Sequence, residues 1–304
     1  MTENPGRELA MNKKRHTIDV DFFRQLDRFT FMVRKRVSTA YAGNRRSIHS
    51  GRGLDTVGYR EYNRGDELRA VDWKAYARFE KLYIRQFEED KSLTTHILLD
   101  SSKSMDYTAG DSPSKFEYAT MLAAGFAYLV TKDNDKFAIS TFAENVDITK
   151  PRRGRKYLLR AIDRLETVKA GGKTAIDECT IQYGRAIHSR SLVIIISDFL
   201  QDPKEIESAI YRFSDHDLML VQVLDRTESA LNIHGHSRLI DLESGVKLET
   251  YISEDLKTEY QEKLTKHINQ IRDTCSKVGA EFYTFTTDIP IFEAFFHTIS
   301  RRRL

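Results

Sequence analysis

A chain of 304 residues is long enough for one large domain or two modest ones, and it can bury a sizeable core. Its 40% hydrophobic and 31% charged residues have the balance of an ordinary soluble globular protein. The formal charge of +3 is too small to imply nucleic-acid binding, and no run of about 18 apolar residues is present to span a membrane.

Basic residues crowd the N-terminal part (Lys13, Lys14, Arg15, Arg34, Lys35, Arg36, Arg45, Arg46) and close the chain (Arg301, Arg302, Arg303); they read as solvated segments rather than a phosphate-binding surface. The start, MTENPGRELAMNKKR, has no apolar stretch behind its positive charges and does not read as a secretory signal. Cys179 and Cys275 fall at apolar positions of predicted helices and form no disulfide pattern, so a reducing cytoplasm is the expected location.

Residues 1–17 are polar and read as a disordered tail. Phe22, Leu26, Phe29 and Val33 recur at helical spacing and predict a helix over 20–37. Ser38–Gly53, rich in Gly, Ser and Arg, reads as an exposed loop. Residues 54–90 mix aromatic and charged side chains, which predicts short strands and turns around aromatic anchors. The whole of 18–93 is expected to pack on a main domain, 94–304.

From Thr94 strands and helices alternate. His96-Ile97-Leu98-Leu99 is a strand ending at Asp100, and Ser114-Lys115-Phe116-Glu117 has capping-box spacing for a helix over 114–131. Strands follow at Asp135–Phe142 and Val146–Thr149, then helices marked by Leu158–Leu165 and by Ile176, Cys179, Tyr183 and Ile187. Leu192–Ile196 is apolar on both faces, as in the middle of a helix-covered parallel sheet. A helix near 203–213, a strand Leu218–Leu224, a hairpin-like insertion near 228–251, a long helix 254–277, a strand Glu281–Thr286 and a last helix near 290–302 complete the chain. The expected fold class is α/β, a doubly wound and mostly parallel sheet whose ligands lie beyond the C-terminal strand ends.

Three loops at those ends carry oxygen donors. Asp100, Ser102 and Ser104 follow the first strand with D-x-S-x-S spacing, which turns a carboxylate and two hydroxyls toward a common point. Thr174 closes Gly171-Gly172-Lys173-Thr174 before a helix, and Asp198 follows the most apolar strand. Each alone has a bland reading, as turn former or N-cap. Together they offer a hard-cation set suited to Mg²⁺, with Mn²⁺ or Ca²⁺ as alternatives.

This constellation resembles the metal-ion-dependent adhesion site of von Willebrand factor A domains. The resemblance implies a metal held by Asp100, Ser102, Ser104, Thr174 and Asp198, with one position left for an acidic residue of a partner. One departure stands out: many relatives have Asp-Gly at the last position, whereas this chain has Asp198-Phe199. A second motif, Arg60-Glu61-Tyr62, Arg64-Gly65-Asp66, Arg69, Asp72-Trp73-Lys74 and Ala77-Arg78, resembles the signature of the domain of unknown function 58 family. Read from the residues, that stretch is either a network of Arg–carboxylate pairs around a Trp73 anchor or a partner-binding surface.

The family resemblance implies a non-enzymatic, metal-dependent protein-binding module that assists a MoxR-type AAA+ ATPase in chaperone-like or complex-assembly work. The alternative is a Mg²⁺-dependent hydrolase or phosphotransferase with Asp100 as nucleophile. Gly172-Lys173-Thr174 does not complete a phosphate-binding loop, because the upstream glycine that the motif requires is missing. His234-Gly235-His236 lacks further ligands at zinc spacing.

Overall fold

The computed structural model describes residues 22–27, 48–50, 56–63, 71–88, 94–110, 112–231, 233, 235–243 and 245–301. The chain divides into two compact units, residues 31–92 and, as the larger, residues 1–30 together with 93–304. The expected tail at 1–17 lies outside the described residues. Of the helix expected over 20–37, residues 22–27 are described as helical (α1) and belong to the larger unit.

The smaller unit contains β1 (Ile48–Ser50), β2 (Thr56–Glu61), α2 (Trp73–Phe79) and β3 (Tyr83–Glu88). Its strands form an antiparallel sheet in the order β1-β3-β2, so the segment expected to be only a loop, Ser38–Gly53, supplies an edge strand. Asp72 starts α2 by accepting hydrogen bonds from the Lys74 and Ala75 amides at 2.9 and 3.3 Å. Ala75, Val71 and Ile84 are buried, but Trp73 is 59% and Phe79 65% exposed. Trp73 is therefore not the buried anchor that its size suggested. It lies on the outer side of a helix in which Trp73, Tyr76 and Phe79 follow each other at three-residue spacing. Of the expected charge pairs, Arg64, Asp66 and Arg69 lie outside the described residues. Glu61 lies 3.5 Å from Lys81, a residue the charge reading had not considered.

The larger unit continues with β4 (Thr95–Asp100), α3 (Lys115–Lys132), β5 (Phe137–Phe142), β6 (Val146–Asp147), α4 (Arg155–Thr167), α5 (Ile176–Gly184) and β7 (Leu192–Ser197). It then runs through α6 (Pro203–Arg212), β8 (Asp217–Leu224), α7 (Arg226–Ala230), β9 (Gly235–Ile240), β10 (Lys247–Ile252), α8 (Glu254–Val278), β11 (Glu281–Thr286) and α9 (Ile291–Arg301). Six strands make one sheet in the order β11-β8-β7-β4-β5-β6, parallel except for the short β6. The α/β, doubly wound, mostly parallel architecture is as expected.

Period-2 alternation sorts each central strand between two cores. Ile97 and Leu99 of β4, Ile194 and Ile196 of β7, and Met219 and Val221 of β8 enter the core shared with α1, α3, α4 and α9. Leu98, Val193, Ile195, Leu218 and Leu220 enter the opposite core, shared with α5, α6 and α8. Each such aliphatic side chain removed from water contributes roughly 1.5–3 kcal/mol, which is why unbroken apolar runs persist in these strands. In the first core, Phe22 of α1 lies 5.6 Å from Phe292 and 6.4 Å from Phe295, ring centre to ring centre. Phe295 also covers Gly125 of α3, where an added Cβ would lie 2.1 Å from the ring.

The chain leaves β4 toward β5 on one side and later returns to lay β7 on the other. The C-terminal ends of β4 and β7 therefore flank the point where the winding reverses, the place where ligands gather in this architecture.

Candidate functional site

The adjacency of β4 and β7 sets the geometry. Leu99 pairs with Ile196, which brings the next residues, Asp100 and Ser197, side by side. The Ser197 hydroxyl donates to Asp100 Oδ2 at 2.6 Å, and the Ser102 amide donates to Oδ1 at 2.9 Å. Asp100 is fully buried and both oxygens are held by neutral donors. Burial first, and then the neighbouring Asp198 carboxylate, raises its carboxyl above the usual aspartate range.

The first loop bends through a 3-10 turn at Lys103–Asp106, and the Ser102 and Ser104 hydroxyls meet at 3.0 Å. The second loop is tied to it by two backbone bonds, Lys103 amide to Gly172 carbonyl at 2.9 Å and Gly171 amide to Ser101 carbonyl at 2.8 Å. Gly172 takes φ +80°, and a side chain there would press on Glu144. Thr174 does not cap α5; that position is Ala175. Its hydroxyl instead donates to Glu243 Oε1 at 2.8 Å, and its amide to Glu243 Oε2 at 3.3 Å. The Lys103 ammonium pairs with exposed Asp106 at 2.7 Å.

The third loop departs most from expectation. Asp198 is fully buried and its Oδ2 receives Lys115 Nζ at 2.8 Å, while its Oδ1 takes the Leu200 amide at 3.4 Å and Gln201 Nε2 at 3.2 Å. Lys115 also meets Glu228 Oε1 at 2.7 Å. Burial opposes the charge on Lys115, but Asp198 and Glu228 outweigh it and hold its pKa above the ordinary lysine value. Phe199 adopts the left-handed conformation, φ 48°. That backbone costs a bulky residue about 1–3 kcal/mol. It is retained because the Phe199 ring is fully buried and its carbonyl accepts His267 Nε2 from α8 at 2.6 Å.

Above these loops lies a cleft of about 1230 Å³ bordered by Ser104, Thr174, Asp198, Glu228 and the β9–β10 hairpin. Ser104, Thr174 and Asp198 line it, whereas Asp100 and Ser102 are wholly buried and do not. Among the described residues no three His, Cys, Asp or Glu side chains converge, so any cation here depends on hydroxyl ligands. Sequence reading missed Lys115, Ser197, Glu228 and Glu243. Lys115 carried one clue: a lysine at the first position of a helix opposes the helix dipole and needs a separate reason. His234 lies outside the described residues.

The family described as "Protein of unknown function DUF58" matches residues 58–270, about two thirds of the chain. The chain belongs to this family. As a DUF58 protein it is 25% identical over 261 residues to the uncharacterized protein Rv1480 of Mycobacterium tuberculosis, covering 84% of this chain and 82% of that one. It is 24% identical over 136 residues to the uncharacterized protein YeaD of Bacillus subtilis, covering 44% of this chain and 32% of that one. Solved structures similar to this DUF58 chain include BatB from Bacteroides thetaiotaomicron, 16% identical with a TM-score of 0.42 over 69% of this chain and 98% of that one. Another is the vWF domain of the type V pili tip protein Mfa5 from Porphyromonas gingivalis, 12% identical with a TM-score of 0.37 over 70% and 96%. No described helix is long and apolar enough to cross a membrane.

Proposed function

We propose that this chain is a non-enzymatic, metal-dependent protein-binding module. Asp100, Ser102 and Ser104 would hold a divalent cation, Mg²⁺ foremost, with Thr174 and Asp198 completing the set. The observation that carries the reading is the state of Asp100: a buried carboxylate met only by neutral donors, beside a second buried carboxylate, in the same loop as Ser104, which lines an open cleft. Such a group lacks a countercharge, and a cation supplies it. Thr174 donates its proton to Glu243 yet keeps oxygen lone pairs, so that bond does not bar it from a ligand role. When bound, the cation offers a Lewis-acid position for a carboxylate of a protein partner.

The partner we propose is a MoxR-type AAA+ ATPase, with this chain as accessory to its chaperone-like or assembly work; the support is the family membership and the site's suitability for docking. Burial of Asp100 weighs against the hydrolase alternative, because a nucleophilic carboxylate must reach its substrate.

Thermal unfolding with Mg²⁺, Mn²⁺ or Ca²⁺ against EDTA tests the metal. A cation at about 100 times its Kd should add about 2.7 kcal/mol to the wild type and nothing to Asp100→Asn. A wild type that no divalent cation stabilises would sink the reading. Capture of the ATPase by the wild type in Mg²⁺, lost in EDTA and in Asp100→Asn, tests the partner.

A further inference from the structure

The β9–β10 hairpin stands apart from the six-stranded sheet as its own two-stranded sheet. Cross-strand pairs hold it together: His236 and Tyr251 face each other with ring centres 5.2 Å apart, and Arg238 lies 3.6 Å from Glu249. Strand β9 and the turn border the cleft, while Val246, Leu248 and Tyr251 of β10 and its approach are exposed. An isolated hairpin is marginally stable in water, so its position depends on what its tip touches.

That tip is shaped around one carboxylate. Asp241 Oδ1 accepts the Glu243 amide at 3.0 Å, and the Gly245 amide closes the turn on the Asp241 carbonyl at 2.8 Å. Glu243 thereby reaches into the cleft, and both its oxygens accept from Thr174, one from the hydroxyl and one from the amide. Most other charged residues of the cleft wall repel it: Glu144, Glu178, Asp202 and Glu205 line the space, against the basic Lys173 and Arg238. At the other end, Leu231 with φ 43° and Gly235 with φ 80° give the chain two bends where the hairpin leaves α7. A weakly held element between such bends suits reversible displacement.

We propose that the Thr174 amide and hydroxyl form a carboxylate-receiving subsite, that Glu243 fills it in cis and so latches the hairpin over the cleft, and that a partner's acidic residue displaces it. The acidic wall selects a partner segment in which that acidic residue is flanked by basic ones. The identity of the occupant as a protein partner rests on the function proposed above; the latch itself does not.

Two measurements on the full chain test this. Hydrogen exchange in EDTA should show the hairpin amides (235–252) and the Thr174 amide exchanging about tenfold faster in Glu243→Gln than in the wild type, the factor expected for losing a hydrogen bond to a charged acceptor. Glu243→Ala should match Glu243→Gln, with unchanged circular dichroism. Equal exchange in wild type and both variants would overturn the latch. A synthetic peptide carrying one glutamate between basic residues should bind Glu243→Gln about tenfold tighter than the wild type in Mg²⁺, and its glutamine twin should gain nothing. Equal affinity of the glutamate peptide for wild type and variant would overturn the displacement. If exchange responds as expected but peptide binding ignores EDTA, the latch stands and the metal-dependent function falls.

Discussion

Lys115 Nζ lies 2.8 Å from Asp198 Oδ2, and both side chains are wholly removed from solvent. The pair joins the start of α3 to the loop after β7, with Glu228 as a third member at 2.7 Å. Glu228 is fixed in turn by its capping box with Asp225. Removing one partner of such a buried pair leaves the other uncompensated. Lys115→Met, similar in length, should therefore destabilise the fold by about 3–5 kcal/mol in urea unfolding. Adding Asp198→Asn to that variant should recover part of the loss. Strictly additive losses would mean that the two groups are not coupled.

Acid should expose a different buried group. His96 Nδ1 lies 3.0 Å from the Tyr183 hydroxyl, and burial, reinforced by nearby His216, depresses its pKa to about 4 from 6.5. The native imidazole stays neutral while the unfolded one takes up a proton below pH 6.5. Its contribution is therefore complete above that pH and is lost as pH falls toward 4, by about 3 kcal/mol in all. Urea midpoints from pH 7.5 to 4.5 should fall more steeply in the wild type than in His96→Gln; parallel slopes would refute the assignment.

Helix α3 holds a glycine for a steric reason. Alanine favours a helix interior by about 1 kcal/mol over glycine, so Gly125→Ala would stabilise an isolated α3. In the folded chain the new Cβ meets Phe295 at 2.1 Å, and overpacking should reverse the sign to a net loss of about 1–3 kcal/mol in thermal or urea unfolding. Phe295→Leu in the same chain should relieve part of that loss. A stabilised Gly125→Ala would show that α9 does not press on α3 as described.

Position 199 separates packing from backbone strain. Phe199→Ala should cost about 3–5 kcal/mol through the cavity it leaves. Phe199→Gly makes nearly the same cavity but relaxes the φ of 48°, so it should be more stable than the alanine variant by about 1 kcal/mol. The reverse ranking would mean that the left-handed backbone is not kept.

The central strands were legible because both faces of β4, β7 and β8 are covered, which leaves no polar alternation to confuse the reading. Ser114 and Glu117 marked the start of α3 for an equally local reason. Helix α2 was misread as strand and turn because its aromatic residues resemble strand residues, although Asp72 and the three-residue spacing of Trp73, Tyr76 and Phe79 carried the helical signal. The first and second loops could be placed from sequence since each follows its strand or precedes its helix directly. Nothing local, however, tells that Lys115 meets Glu228 from 113 positions away, or that a hairpin tip brings Glu243 to Thr174. Those pairings arise from tertiary geometry, and a motif search passes over them.

The left-handed Phe199 has a mechanical consequence. Its ring is set in one core and its carbonyl is pinned to His267 on α8, so the loop bearing Asp198 is riveted at both ends of a single residue. For the cation proposed above, that loop would be a rigid template with little slack to take up, and no affinity would be lost in ordering it. Any choice between cations at Asp198 would then follow from fit to a fixed shape, with the compliance left to the proposed hairpin latch.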